Sequence, residues 1–138
     1  MVDQRFSVSV HIMTSLAYEK GDLLTSEALA KSVRTNPTVV RRLIAKLVDA
    51  GLLDSYKGKS GGVKLAKSAK EITLRDIYIA ASGKPLLNTP DKEPNKHCNV
   101  SCAMNKLLDD VCAGLEKSSM NYLSGIKLSD LASKVARA

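Results

Sequence analysis

Three thiols and a run of hydroxyl, amide and cationic side chains are the groups of this 138-residue chain whose types and spacing could do chemistry. Cys98, Cys102 and Cys112 are the three cysteines, and His97 adjoins the first. On a helix Cys98 and Cys102 share a face, whereas Cys112, ten residues past Cys102, lies about 280° further round. If that segment were partly unwound, three thiolates and an imidazole could hold zinc or an iron-sulfur cluster, because soft sulfur ligands favour those over harder ions. A better fit is redox sensing. A cysteine at a helix amino terminus with Lys96 and His97 beside it is favoured as the thiolate, the form that reacts with oxidants. Cys98 and Cys102 are the candidates for that role, and Cys112, at an apolar helix position, reads as a structural thiol. Three is an odd number and too few for a disulfide scaffold, so the thiols are expected to start reduced. On this reading the protein carries no cofactor, with a cluster or zinc left as the alternative.

The second group is Thr35, Asn36, Thr38, Arg41 and Arg42, followed by Lys57 and Lys59. Arg is suited to bidentate contact with guanine, and Thr can meet a hydrogen-bonding base edge or a thymine methyl, while the two lysines offer charge to phosphates. These residues lie in a concentrated patch. Between Lys31 and Lys70 there are ten Lys or Arg against two Asp or Glu, a net of +8, where the whole chain carries +7. The other 98 residues therefore balance near −1. A localised field of that sign is the footprint of a nucleic-acid partner.

The elements that must position these groups follow from periodicity and caps. Phe6, Val10, Met13, Leu16 and Ala17 recur at helical spacing, predicting a helix from Arg5 to about Glu19, ended by Gly21. His11 on that helix reads as a partly buried or neutral surface histidine. Thr25-Ser26-Glu27-Ala28 caps a short helix running to about Val33, and Arg34-Thr35 forms the turn. Asn36-Pro37 then opens a third helix with Val40, Leu43, Ile44, Leu47 and Val48 on its apolar face and Gly51 at its end. Short helix, turn and longer helix make a helix-turn-helix, whose second helix enters the major groove by its first turns. Leu52–Tyr56 and Gly62–Ala66 read as a β-hairpin wing around Lys57-Gly58-Lys59-Ser60-Gly61. A fourth helix is expected from Thr73 to about Ala81, followed by a polar, proline-bearing connector. A long helix then runs from near Asn99 to about Ser124, with Val100, Met104, Leu107, Val111, Leu115 and Tyr122 as a near-heptad stripe, and a last short helix spans Lys127 to Ala136. The expected fold class is mainly α with a small β-hairpin wing. Its divisions are a winged helix-turn-helix DNA-binding domain over 1–82, a connector over 83–98 and a helical dimerisation arm over 99–138.

Composition sets the limits. Aromatic residues make up 4% of the chain, with one Phe and no Trp, so Leu, Val, Ile and Ala must build the core. No apolar run approaches the roughly 18 to 20 residues needed to span a bilayer, and the amino terminus lacks signal-peptide architecture. A cytoplasmic protein with no membrane partner, associated with DNA, is the expectation. There is no phosphate-binding loop, HExxH run or nucleophile elbow, so an enzyme is not expected.

The segments FSVSVHIMTSLA, NPTVVRRLIAKLVDAGLL and, above all, SGGVKLAKSAKEITLRDI resemble the Rrf-two family of bacterial transcription regulators over essentially the whole chain. The resemblance implies a homodimer that binds a palindromic, inverted-repeat operator, with the recognition helix in the major groove and the wing in the minor groove. Thr38 and Arg41 fall at base-facing sites, and Lys57 falls where the family's wing commonly places a basic residue. Cluster-binding members resemble one another in three cysteines with five and then seven residues between them. Here the intervals are three and nine. Sequence-specific regulation by repression, through a thiol-responsive dimer, is the leading expectation. A metal or cluster sensor using Cys98, Cys102 and Cys112 is one alternative. A winged-helix protein-interaction module without specific DNA binding is another.

Overall fold

The computed structural model describes residues 4–82 and 93–138. Among these residues six helices and one hairpin follow in the expected order: α1 (Arg5–Tyr18), α2 (Ser26–Val33), α3 (Pro37–Asp49), β1 (Leu53–Tyr56), β2 (Gly62–Leu65), α4 (Leu74–Ala81), α5 (Asn99–Ser124) and α6 (Leu128–Arg137). Most of the expected connector, 83–92, lies outside the described residues.

Local chemistry fixes the elements that matter. Thr25 caps α2 by accepting from the Ala28 backbone N–H at 3.1 Å. Asn36 Oδ1 caps α3 by accepting from Thr38 N–H at 2.8 Å, with Pro37 in the first turn, where its missing N–H leaves no helical bond unmade. Between these helices Arg34 adopts a left-handed conformation at φ 66°, and both Arg34 and Thr35 donate their backbone N–H to Ala30 O, which closes the turn tightly. Beyond α3 the chain reverses at Gly51, where φ is +78°. The hairpin is antiparallel, from Leu53 opposite Leu65 to Tyr56 opposite Gly62.

The wing is also tied to the helices. Leu24, in the linker before α2, exchanges both backbone hydrogen bonds with Val63 at 3.1 and 2.9 Å. Gly62 permits that approach: its φ is +151°, and a Cβ there would lie 2.7 Å from the Leu24 carbonyl oxygen.

One core joins these parts. Ile12, Met13 and Leu16 of α1 meet Leu29 of α2, Val40, Leu43 and Leu47 of α3, Leu53 and Val63 of the wing, and Ile72 and Ile77 around α4. Phe6 and Tyr78 lock α1 to α4 edge to face, with ring centroids 5.5 Å apart. A capping box starts α4, in which Thr73 N–H donates to Asp76 Oδ2 at 3.0 Å and Asp76 N–H donates to Thr73 Oγ1 at 3.2 Å.

The carboxy-terminal helices divide in behaviour. Residue 128 lies in the segment expected to be an arm, yet Leu128 is fully buried in the same core as α1. Leu74 N–H donates to Ile126 O at 2.9 Å and Leu128 N–H to Ile72 O at 2.8 Å, so the α5–α6 turn is stitched to the start of α4. The long α5, about 39 Å at 1.5 Å per residue, has no buried residue. Its stripe of Val100, Met104, Leu107, Val111, Leu115 and Tyr122 is exposed in the single chain.

Candidate nucleic-acid interface

The first turns of α3 present Thr38, Arg41 and Arg42 to solvent, while Val40, Leu43, Ile44 and Leu47 on the opposite side enter the core. The apolar stripe therefore orients the polar one: burying one face of an amphipathic helix fixes the direction of the other. Thr35 is half-buried in the turn, and Asn36 is exposed but has its Oδ1 committed to the α3 cap. Lys57 and Lys59 are exposed at the tip of the wing.

Between α2, α3 and the wing lies an open groove of about 530 Å³, lined among others by Glu27, Arg41, Tyr56 and Lys59. The structure thus brings Arg41 and Lys59 to one groove although they come from different elements. Arg41 is not free within it. Its Nη2 donates to Glu27 Oε1 at 3.0 Å across the turn. The Glu27 carboxyl is held below the usual carboxylate range, first by a backbone hydrogen bond in the opening turn of α2 and then by the Arg41 guanidinium. In the sequence Glu27 belongs only to the opening of α2, because residues fourteen apart in two helices share no periodic signal.

A second contact on the wing was also not read from sequence. Lys64 Nζ stands 5.2 Å from the centroid of the half-exposed Tyr56 ring, close enough for a cation–π contact. Strand alternation puts the two residues near one another, but only the register of the hairpin brings the ammonium over the ring.

The thiols lie away from this groove in sequence and in element. Cys98 is the N-cap of α5, its Sγ accepting from Ser101 N–H at 3.5 Å. Asn95 organises the turn before it: its carbonyl accepts from Cys98 N–H at 3.0 Å and from the Cys102 thiol at 3.5 Å, and its Oδ1 accepts from His97 N–H at 3.0 Å. Cys102 is exposed, whereas Cys98 and Cys112 are half-buried. Because α5 is unbroken from Asn99, Cys112 stands about 15 Å along the axis from Cys102. Among the described residues no three His, Cys, Asp or Glu side chains are grouped as a metal site requires. His11, on α1, pairs its Nε2 with Ser32 Oγ of α2 at 2.9 Å, which gives it a structural partner. No helix among the described residues is long and apolar enough to cross a membrane.

Known proteins place this arrangement. The chain is 31% identical over 131 residues to YwnA of Bacillus subtilis, described as an HTH-type transcriptional regulator, spanning 95% of this chain and 96% of YwnA. Its fold is shared with CymR, the global cysteine regulator of B. subtilis, at a TM-score of 0.68 and 24% identity over 97% of each chain. It is also shared with T. potens IscR at a TM-score of 0.71 and 23% identity, covering 98% of this chain and 88% of that one. Residues 2–134 match the Rrf2 family, described as iron-dependent transcriptional regulators, and the chain belongs to that family: it is a winged-helix, DNA-binding transcription regulator and not an enzyme.

Proposed function

We propose that the protein is a homodimeric repressor that reads a palindromic operator with α3 in the major groove and the wing in the minor groove. The observation that carries this reading is the pairing of one exposed cationic helix face with one exposed apolar helix face. Thr38, Arg41 and Arg42 stand clear of the core on α3. Six apolar residues stand clear of it on α5, a helix with nothing buried in its own chain. Covering that stripe with the same stripe of a second copy removes the apolar surface from water and sets two recognition helices in two-fold relation, as an inverted repeat demands. Thr35, Asn36, Thr38, Arg41 and Arg42 would meet bases and flanking phosphates. Lys57 and Lys59 would meet the backbone at the minor groove.

The signal we assign is oxidation at Cys98, with Cys102 on the same face. Attack of the Cys98 thiolate on hydrogen peroxide forms an S–O bond as the O–O bond breaks; hydroxide leaves and takes a proton from solvent to become water, and a sulfenic acid remains. The iron of the family description does not fit the three thiols as placed, since Cys112 stands about 15 Å along α5 from Cys102 and no metal-like grouping of ligands is found among the described residues. No regulatory step is therefore routed through a cluster.

The test uses an operator obtained by selection. Arg41→Ala should weaken operator binding by about 1 to 3 kcal/mol and relax the base preference, whereas Lys59→Ala should weaken operator and random DNA alike and flatten the salt dependence. Identical behaviour of the two variants on both duplexes would overturn the assignment of α3 as the reading element. A protein-interaction module would show neither effect.

A further inference from the structure

Arg41 and Arg42 are neighbours on the exposed face of α3, but Arg41 is tethered to Glu27 at 3.0 Å. The two side chains of the pair are 56% and 65% exposed, so the pair does little for folding. Its consequence lies elsewhere. Glu27 sits in the first turn of α2, where a backbone hydrogen bond and the helix dipole favour its carboxylate form and Ser26 Oγ donates to its Oε2 at 3.4 Å. The guanidinium lines the groove that also contains Lys59 of the wing. An untethered arginine in so positive a patch neutralises the nearest phosphate of any sequence. One donor held by a carboxylate fixes the plane of the fork, which is what bidentate reading of a base edge needs.

We propose that Glu27 is the positioning residue of DNA recognition, orienting Arg41 toward base edges and withholding it from phosphates, so that specificity is gained at some loss of general affinity. The proposal rests on the reading of Arg41 as a base-contacting residue. Glu27 itself touches no base in this scheme, and it acts through the guanidinium.

The experiment compares wild type, Glu27→Gln, Arg41→Ala and the double variant on the selected operator and on a scrambled duplex of equal length, over a series of salt concentrations. Glu27→Gln keeps the side-chain size and removes the charge at an exposed position. It should raise scrambled-duplex affinity roughly two- to fivefold, the range an exposed ion pair supports. The log–log salt slope on that duplex should steepen by up to about 0.9, one additional phosphate contact, and the operator-to-scrambled ratio should fall. In the Arg41→Ala background the same substitution should leave the ratio unchanged. Equal gains on both duplexes, or equal effects with and without Arg41, would make Glu27 a plain surface charge and overturn the proposal. If Arg41→Ala lowers the ratio and Glu27→Gln does not, the positioning role alone fails. If Arg41→Ala leaves the ratio intact, the base-reading assignment fails and takes this proposal with it.

Discussion

Replacing Leu107 and Val111 together by Asp should separate the dimer while leaving each protomer folded. Leu107 is 54% and Val111 61% exposed in the single chain, so each has about half of its surface left to bury. Full burial of such a side chain stabilises by about 1.5 to 3 kcal/mol, which leaves about 1 to 1.5 kcal/mol per residue for the interface. A two-fold interface counts each residue twice, so the pair of substitutions removes about 4 to 6 kcal/mol before the cost of bringing aspartates into the contact. At 1.4 kcal/mol per decade, that weakens dimerisation by roughly a thousandfold or more. Sedimentation equilibrium across a range of protein concentrations reads this directly, and the urea midpoint of the dissociated protomer reports whether its own core is intact. The reasoning is refuted if the double variant dimerises as tightly as wild type, because the α5 stripe would then not be the contact. It is equally refuted if wild type is a monomer at every concentration.

Leu128→Ala should destabilise the chain by about 2 to 5 kcal/mol, a core-sized loss, because Leu128 is fully buried; a urea titration showing less than 1 kcal/mol would mean that α6 does not belong to the amino-terminal core. Gly62→Ala should loosen the wing through its positive φ and the close Leu24 carbonyl, read as faster amide exchange at Val63 and Leu24. Thr73→Ala removes one side of the α4 capping box and should cost about 1 kcal/mol in the same titration. Peroxide should weaken operator binding by wild type and leave Cys98→Ser unaffected in a fluorescence anisotropy assay; the same loss in both would discard Cys98 as the sensor.

What the sequence disclosed and what it withheld have separate physical causes. The start of α3 was legible because Asn36 and Pro37 act within one turn of the helix they begin, and the reversal at Gly51 because a positive φ is a local demand. The hairpin was legible for the same reason, to within a residue at each end. Periodicity shows which face of a helix is apolar but not what covers it. Residues 127–136 are expected from sequence to extend a dimerisation arm, whereas Leu128 sits in the core beside α1, and among the described helices α5 is the one left with an uncovered stripe. The Leu24–Val63 bridge depends on two segments almost forty residues apart meeting at Gly62, and no local signal announces it. In the site, Arg41 was legible as an exposed cation next to an apolar stripe. Its attachment to Glu27 was not, because the pair forms only once the α2–α3 turn has closed through Arg34 and Thr35.

The most direct test of the central claim is selection of binding sites from random duplex DNA by the wild-type protein, with the stoichiometry of the selected complex measured by light scattering. The account expects an inverted repeat whose half-site centres lie about one helical turn apart or a multiple of it, bound by two protomers. Selection of no consensus, or of a single half-site bound by one protomer, would contradict it.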